Sequence, residues 1–167
     1  MDKKIVWRFT NGKELTEKEF CDYFERKIFK TIRKYQMIKD FYNKDIPIVE
    51  GKELNKKVLN YVLSKKFKTK ISKKSIFSYK NLTEIAEKIF ENILKGEFKK
   101  MPTDLRKAPL QFLKDEEIEL YASLKNIVGE KRKKNERIQK LFQRFKTKNP
   151  DLENNILKAF LQVKENV

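Results

Sequence analysis

The side chains able to do chemistry in this chain are mostly cations. Among 167 residues, 41 are Lys or Arg and 24 are Asp or Glu, with no histidine and one cysteine, for a formal charge of +17. Without histidine there is no Ser-His-Asp triad, no imidazole acid–base pair and no His-containing metal site. One cysteine allows neither an internal disulfide nor a cysteine-lined zinc or iron–sulfur cradle. What remains is the binding of anions. The excess charge lies in two blocks: residues 51–80 hold ten Lys against Glu53, and residues 125–150 hold ten Lys or Arg against Glu130 and Glu136. Two such patches suit a polyanion, because each neutralised phosphate releases counterions and drives association. A merely solvated, lysine-rich surface is the alternative reading.

Within the second block, Lys133, Arg137, Lys140 and Arg144 recur at helical spacing behind the run Lys131-Arg132-Lys133-Lys134. This is the best candidate for phosphate contact, suited to backbone and shape recognition of folded RNA. Arg33-Lys34 beside Tyr35 is a second candidate, although Tyr35 also ends an apolar stripe and reads as core. The Lys65–Lys74 run is either an ordered RNA contact or a mobile basic loop. Lys52 beside Gly51 is a third place for an anion, with Glu50 and Glu53 set against it.

These residues need elements to hold them. Ile5-Val6-Trp7-Arg8-Phe9 reads as a strand, with Asn11-Gly12 as a turn signal. Thr16 and Glu19 form a capping box for a helix whose apolar positions are Phe20, Phe24, Ile28, Ile32 and Tyr35. Ile46-Pro47-Ile48-Val49 predicts a second strand, then a helix through Val58, Tyr61 and Val62, and Ser75-Ile76-Phe77 a third strand. Asn81 precedes a helix with Leu82, Ile85, Ile89 and Ile93 inward and Gly96 as its C-cap. Asp115-Glu116-Glu117 are first-turn acids of a helix with Ile118, Tyr121, Ala122 and Leu124. Past Gly129, a helix to about residue 147 turns Ile138, Leu141, Phe142 and Phe145 inward. Asn149-Pro150-Asp151 starts a last helix that packs Leu152, Ile156, Phe160 and Val163. The chain is thus a helix-rich α/β protein. No segment is long and apolar enough for a signal peptide or a membrane span, so a soluble, cytoplasmic protein that meets no membrane is expected.

Four stretches, in order and at agreeing spacing, carry a resemblance. Ile5-Val6-Trp7-Arg8-Phe9, then Gly12, Leu15, Phe20 and Tyr23-Phe24-Glu25, running into Thr31-Ile32-Arg33-Lys34-Tyr35, resembles the N-terminus of the TtuA/TtcA/NcsA tRNA-thiolation family. Asn81-Leu82-Thr83-Glu84-Ile85-Ala86-Glu87 through Asn92-Ile93-Leu94-Lys95-Gly96-Glu97 is similar to its "NLDDEAETVLMNLLRGD". Pro109-Leu110 with Glu117, Glu119 and Leu120-Tyr121-Ala122 is a third match. Arg137 through Phe145, then Pro150 and Ile156-Leu157-Lys158-Ala159-Phe160, resembles the C-terminal helices. The resemblance implies a truncated PP-loop (Rossmann-like) core. Residues 1–40 would match the zinc-finger segment without its ligands, 41–128 a shortened, degenerate core, and 129–167 a basic helical segment, together forming one compact unit.

The departures shape the functional expectation. Where the family has its phosphate-binding SGGKDS loop, this chain reads Val49-Glu50-Gly51-Lys52-Glu53-Leu54. Thr16 and Glu19 stand at zinc-ligand positions, and Cys21 is off them and reads as a small buried residue. The "NLDD" acids become Thr83 and Glu84, and the cluster-bearing region reads Gly129-Glu130-Lys131-Arg132. About one βαβ unit is missing between residues 66 and 74. The resemblance therefore implies a shortened, archaeal, non-catalytic paralogue in a wobble-uridine tRNA 2-thiolation complex, not itself an enzyme and with no cofactor in this chain. ATP and the iron–sulfur cluster would sit on a catalytic partner, with which it forms a heterodimer or a higher hetero-oligomer. Expected RNA contacts are Lys131, Arg132, Lys133, Lys134, Arg137, Lys140, Arg144, Arg33 and Lys34. The other readings are a free-standing RNA-binding module and a surviving ATP-dependent enzyme.

Overall fold

Helix α1 (Glu17–Lys34) forms where aromatic and branched residues recur every four positions, and Phe20, Phe24, Ile28 and Ile32 are each at most 2% exposed. The computed structural model describes residues 4–103 and 105–165. The Glu19 carboxylate accepts from the Thr16 N–H at 2.9 Å and from its hydroxyl at 2.7 Å, the returning half of a capping box. Tyr35 is half-buried at the end of the helix and outside the main apolar cluster, so the stripe stops at Ile32. Ahead of α1, β1 (Ile5–Arg8) and β2 (Glu14–Thr16) pair as an antiparallel hairpin. Its turn places Gly12 at φ +82, the left-handed backbone that glycine tolerates best.

The centre is a single βαβ unit. β3 (Ile46–Ile48) and β4 (Thr69–Ile71) are parallel, with Ile46 opposite Thr69 and Ile48 opposite Ile71. Parallel strands need a crossover, and α2 (Leu54–Ser64) supplies it while burying Leu54, Val58, Leu59, Val62 and Leu63. Tyr61, on the same helix, is 39% exposed. β4 corrects two expectations. Ser75-Ile76-Phe77 is not a strand: the Phe77 ring is buried, but its N–H donates to Ser75 Oγ at 3.0 Å in a local turn. The Lys65–Lys74 run is not loop throughout, because its middle is β4. Lys70 and Ile71 are exposed on that short strand, so no apolar alternation marks it in the sequence.

Helix α3 (Leu82–Lys95) begins where Asn81 Oδ1 accepts from the Glu84 N–H at 3.1 Å and ends at Gly96, φ +66. α4 (Asp115–Leu124) sets the Tyr121 ring flat on Phe24, with centroids 4.2 Å apart, worth about 1 kcal/mol beyond area burial. The Tyr121 hydroxyl donates to Glu25 at 2.6 Å. α5 (Glu136–Lys148) and α6 (Leu152–Glu165) complete the chain. A second apolar cluster joins Leu82, Ile85 and Ile89 of α3 to Leu105 and to Leu157 of α6. Three inward expectations fail here: Ile93, Phe145 and Val163 are 51%, 46% and 64% exposed. Asn149 ends α5 instead of starting α6, its N–H donating to Phe145 O at 3.0 Å.

Candidate nucleic-acid interface

The second basic block divides at Asn135. Its Oδ1 accepts from the Ile138 N–H at 3.4 Å and starts α5 there, so residues 131–134 lie in irregular chain before the helix. Arg132 turns inward: its guanidinium meets Glu87 at 2.7 Å and Asp115 at 2.9 Å. The Arg132 Nε donates to the same Asp115 carboxylate at 3.1 Å, the forked geometry that makes such pairs strong. Lys134 reaches Asp115 at 3.0 Å, and Asn81 Nδ2 donates to it at 2.6 Å. Burial alone would raise the Asp115 carboxyl, but Arg132, Asn81 and Lys134 outweigh it and hold it below its ordinary range. Burial also opposes the Arg132 charge, and Asp115 and Glu87 more than offset it. Lys131 pairs with Glu119 at 2.6 Å. At the far end of α5, Lys146 meets Glu116 at 3.0 Å and the buried Glu153 at 3.3 Å.

Lys133, Arg137, Lys140 and Arg144 have a different fate. All four are exposed, and among the described residues none takes part in an ion pair. Arg137, Lys140 and Arg144 share one side of α5, since residues three and four apart are neighbours on a helix. Lys133 precedes the helix instead of lying on its face. Phe142 is buried on the opposite side, where its ring meets Phe90 edge-on at 5.4 Å. Arg33 and Lys34 belong to another element, the last turn of α1, where the Lys34 ammonium sits 5.3 Å from the Tyr35 ring and 5.8 Å from Phe112.

The first basic block divides in the same way. Lys56 pairs with Glu53 at 3.0 Å, Lys65 pairs with Glu25, and Lys57 donates to Val128 O at 2.7 Å. Lys68, Lys70, Lys73 and Lys74, in and around β4, are exposed without an ion pair among the described residues. These lysines belong to the Lys65–Lys74 run already named as a candidate RNA contact, but a three-residue strand has too few positions to reveal its outward row in the sequence.

The turn before α2 stands where the phosphate loop was expected, and the chain's own backbone crosses it. The Glu130 N–H donates to Lys52 O at 2.7 Å, and the Leu54 N–H donates to Glu130 O at 2.8 Å. Gly129 permits this approach, since a Cβ there would stand 2.8 Å from Leu54 Cα. A helix N-terminus holds phosphate through N–H groups that lack an acceptor. Here the first N–H of α2 already has one, and the Glu53 carboxylate beside it opposes the approach of a nucleoside triphosphate. The residues present do not fit an iron–sulfur cluster, which takes several thiolates. The one cysteine, Cys21, is buried in α1, and burial raises its thiol against the opposing pull of Lys125. Thr16 and Glu19 hydrogen-bond each other at the helix cap. Among the described residues no group of three acids or thiols is placed to hold a metal ion, and no helix is long and apolar enough to cross a membrane.

No family model matches the sequence, and no curated protein matches it. Solved structures do. One is the U34-tRNA thiolase NcsA from Methanococcus maripaludis with its 4Fe-4S cluster, similar at a TM-score of 0.75 over 98% of this chain and 85% of that one, with 11% sequence identity. The likeness is one of fold: the two chains share a helix-rich α/β architecture.

Proposed function

We propose that this chain is a non-catalytic subunit of a tRNA 2-thiolation complex. It binds a catalytic PP-loop paralogue, which carries the ATP and the iron–sulfur cluster, and it helps to hold tRNA in the cytoplasm. The observation that supports this reading is a thiolase-like fold whose phosphate-loop counterpart is closed by the backbone of Gly129 and Glu130. In this role the chain supplies potential and shape. Arg137, Lys140 and Arg144, with Lys133 before them, attract and orient the phosphate backbone, while Arg132 and Lys134 keep the segment between α4 and α5 in place.

Co-expression with the catalytic thiolase of the same organism tests the reading. A stable complex is expected, together with tRNA thiolation that needs both chains. Salt-sensitive tRNA binding by this chain with no thiolase partner would favour the free-standing module instead. Replacing Lys133, Arg137, Lys140 and Arg144 by Glu should leave the complex intact and weaken tRNA binding. The slope of log affinity against log salt should fall by about 3 to 3.6, just under one for each of the four lost phosphate contacts. Unchanged affinity would remove that face from the interface.

A further inference from the structure

Two adjacent cavities open at the end of α1. The first, of about 360 Å³, lies between that end and the residues just past α2. Ile32, Ile38 and Phe67 wall it, and Arg33, Lys39 and Lys66 stand exposed at its rim. The second, of about 600 Å³, continues from it, with Gln36 and Lys39 common to both. Its cations are Lys34, Lys39, Arg106 and Lys164, and no acid lines either cavity among the described residues. Lys164 donates to Pro102 O at 2.8 Å, whereas Arg33, Lys39, Lys66 and Arg106 make no ion pair among the described residues. An apolar hole is thus ringed by cations that the fold leaves unneutralised.

Gln36 marks the place where the two cavities meet. It has φ +50, and its N–H donates to Arg33 O at 3.1 Å, while the Met37 N–H donates to Ile32 O at 3.0 Å. Those two bonds close a left-handed helix end, where glycine is the common residue because it has no Cβ. The other non-glycine residues of positive φ, among those described, are Asn43 and Asn126, and asparagine tolerates that backbone well. Gln36 therefore carries an exposed amide where glycine would fold more easily, and the residue borders both cavities.

We propose that the end of α1 docks an acidic peptide segment of a partner protein. One bulky aliphatic side chain enters the apolar cavity, and carboxylates on either side of it meet Arg33, Lys39 and Lys66. The Gln36 amide takes a peptide group of the partner's backbone. Burial of the aliphatic group supplies affinity, and the ring of charge selects the partner. Single-stranded RNA would need open aromatic faces on which its bases stack. Here the Phe29 ring is only 8% exposed and has the Lys66 ammonium 4.2 Å from its centre, and Phe67 packs across it at 5.9 Å. An aliphatic side chain suits such walls better than a base. This surface lies on other elements than α5 and does not depend on the tRNA reading.

A blocked fluorescent peptide with leucine at its centre and glutamates on both sides, titrated into the full chain, tests it. Binding is expected, and alanine in place of the leucine should weaken it about tenfold. Lys39→Glu combined with Lys66→Glu should weaken it by at least about tenfold, since like charges then face each other. Gln36→Gly should weaken it several-fold without lowering the melting temperature. Leucine and alanine peptides that bind alike would reflect general attraction to a chain of charge +17 and overturn the inference. An affinity untouched by the double replacement overturns it too. If the peptide does not bind while a uridine hexamer does, and the hexamer loses affinity in the double variant, the surface belongs to RNA and the inference falls. The two peptides are compared on the wild-type chain, so they decide the matter even if the double variant does not fold.

Discussion

Residues 131–134 and residues 137–144 read as one basic block, yet they sit in different electrostatic settings. Arg132 and Lys134 lie against Glu87 and Asp115, largely out of water, and Arg137, Lys140 and Arg144 project from α5 without acids to meet. The cations are alike. What differs is the supply of carboxylates from α3 and α4, which the fold brings to one segment and not to the other. Paired and buried, a guanidinium holds elements together; unpaired and exposed, it contributes to a field that reaches beyond the surface. Net charge therefore overstates the free surface, and the described ion pairs show where it does so.

The strongest way to break this contrast is Arg132→Met. It leaves Asp115 and Glu87 buried with fewer donors, and loss of one partner from such a cluster costs about 3 kcal/mol. Urea denaturation should show that loss. The quadruple charge reversal at 133, 137, 140 and 144 should cost less in the same measurement, each surface change contributing no more than about 0.5 kcal/mol. Equal destabilisation by both would erase the distinction between the two stretches.

A second contrast separates two glycines. Gly129 lies against the turn before α2, and Gly12 sits in an open hairpin turn with nothing near its missing Cβ. Gly129→Ala must push a methyl into the backbone of Leu54, so it should cost about 2 kcal/mol and loosen the Glu130 bridge. Gly12→Ala meets only the penalty of a left-handed backbone, about 1 kcal/mol. Amide exchange at Leu54 sharpens the comparison: it should speed up in the first variant and not in the second.

What the sequence made legible follows from the reach of each signal. α1 and α3 were readable because their stripes and caps are local: Thr16 with Glu19, Asn81 with the Glu84 N–H, and Gly96 at the end. β3 was readable from a short apolar run ending before Gly51. β4 was not, because a solvated edge strand carries lysine where a buried one would carry valine. The inward turn of Arg132 was not either. It depends on Glu87 and Asp115, which appear in sequence as a helix-face acid and a first-turn acid, and only folding makes them a pair. Glu153 is the same kind of case: fully buried, it takes the Thr83 hydroxyl at 2.7 Å and Lys146 at 3.3 Å, although nothing local marks it as core.

The smallest expected effect divides the buried acids themselves. The Asp115 carboxyl is held below its ordinary 3.8, so its contribution is present at neutral pH and is lost as pH falls through its depressed folded value. Glu84 is the opposite case: burial, only partly offset by Arg132, raises it above 4.5. As pH rises from 4.5 toward the folded value, the unfolded chain releases that proton first, so stability declines through this window. Glu84→Gln removes the titration without changing the shape of the side chain. Thermal melts of both proteins between pH 4 and 7.5 should then diverge upward through the window, with the variant gaining less than about 1 kcal/mol relative to the wild type. A difference that stayed flat with pH, or that favoured the wild type at the neutral end, would mean that Glu84 is solvated in the folded chain.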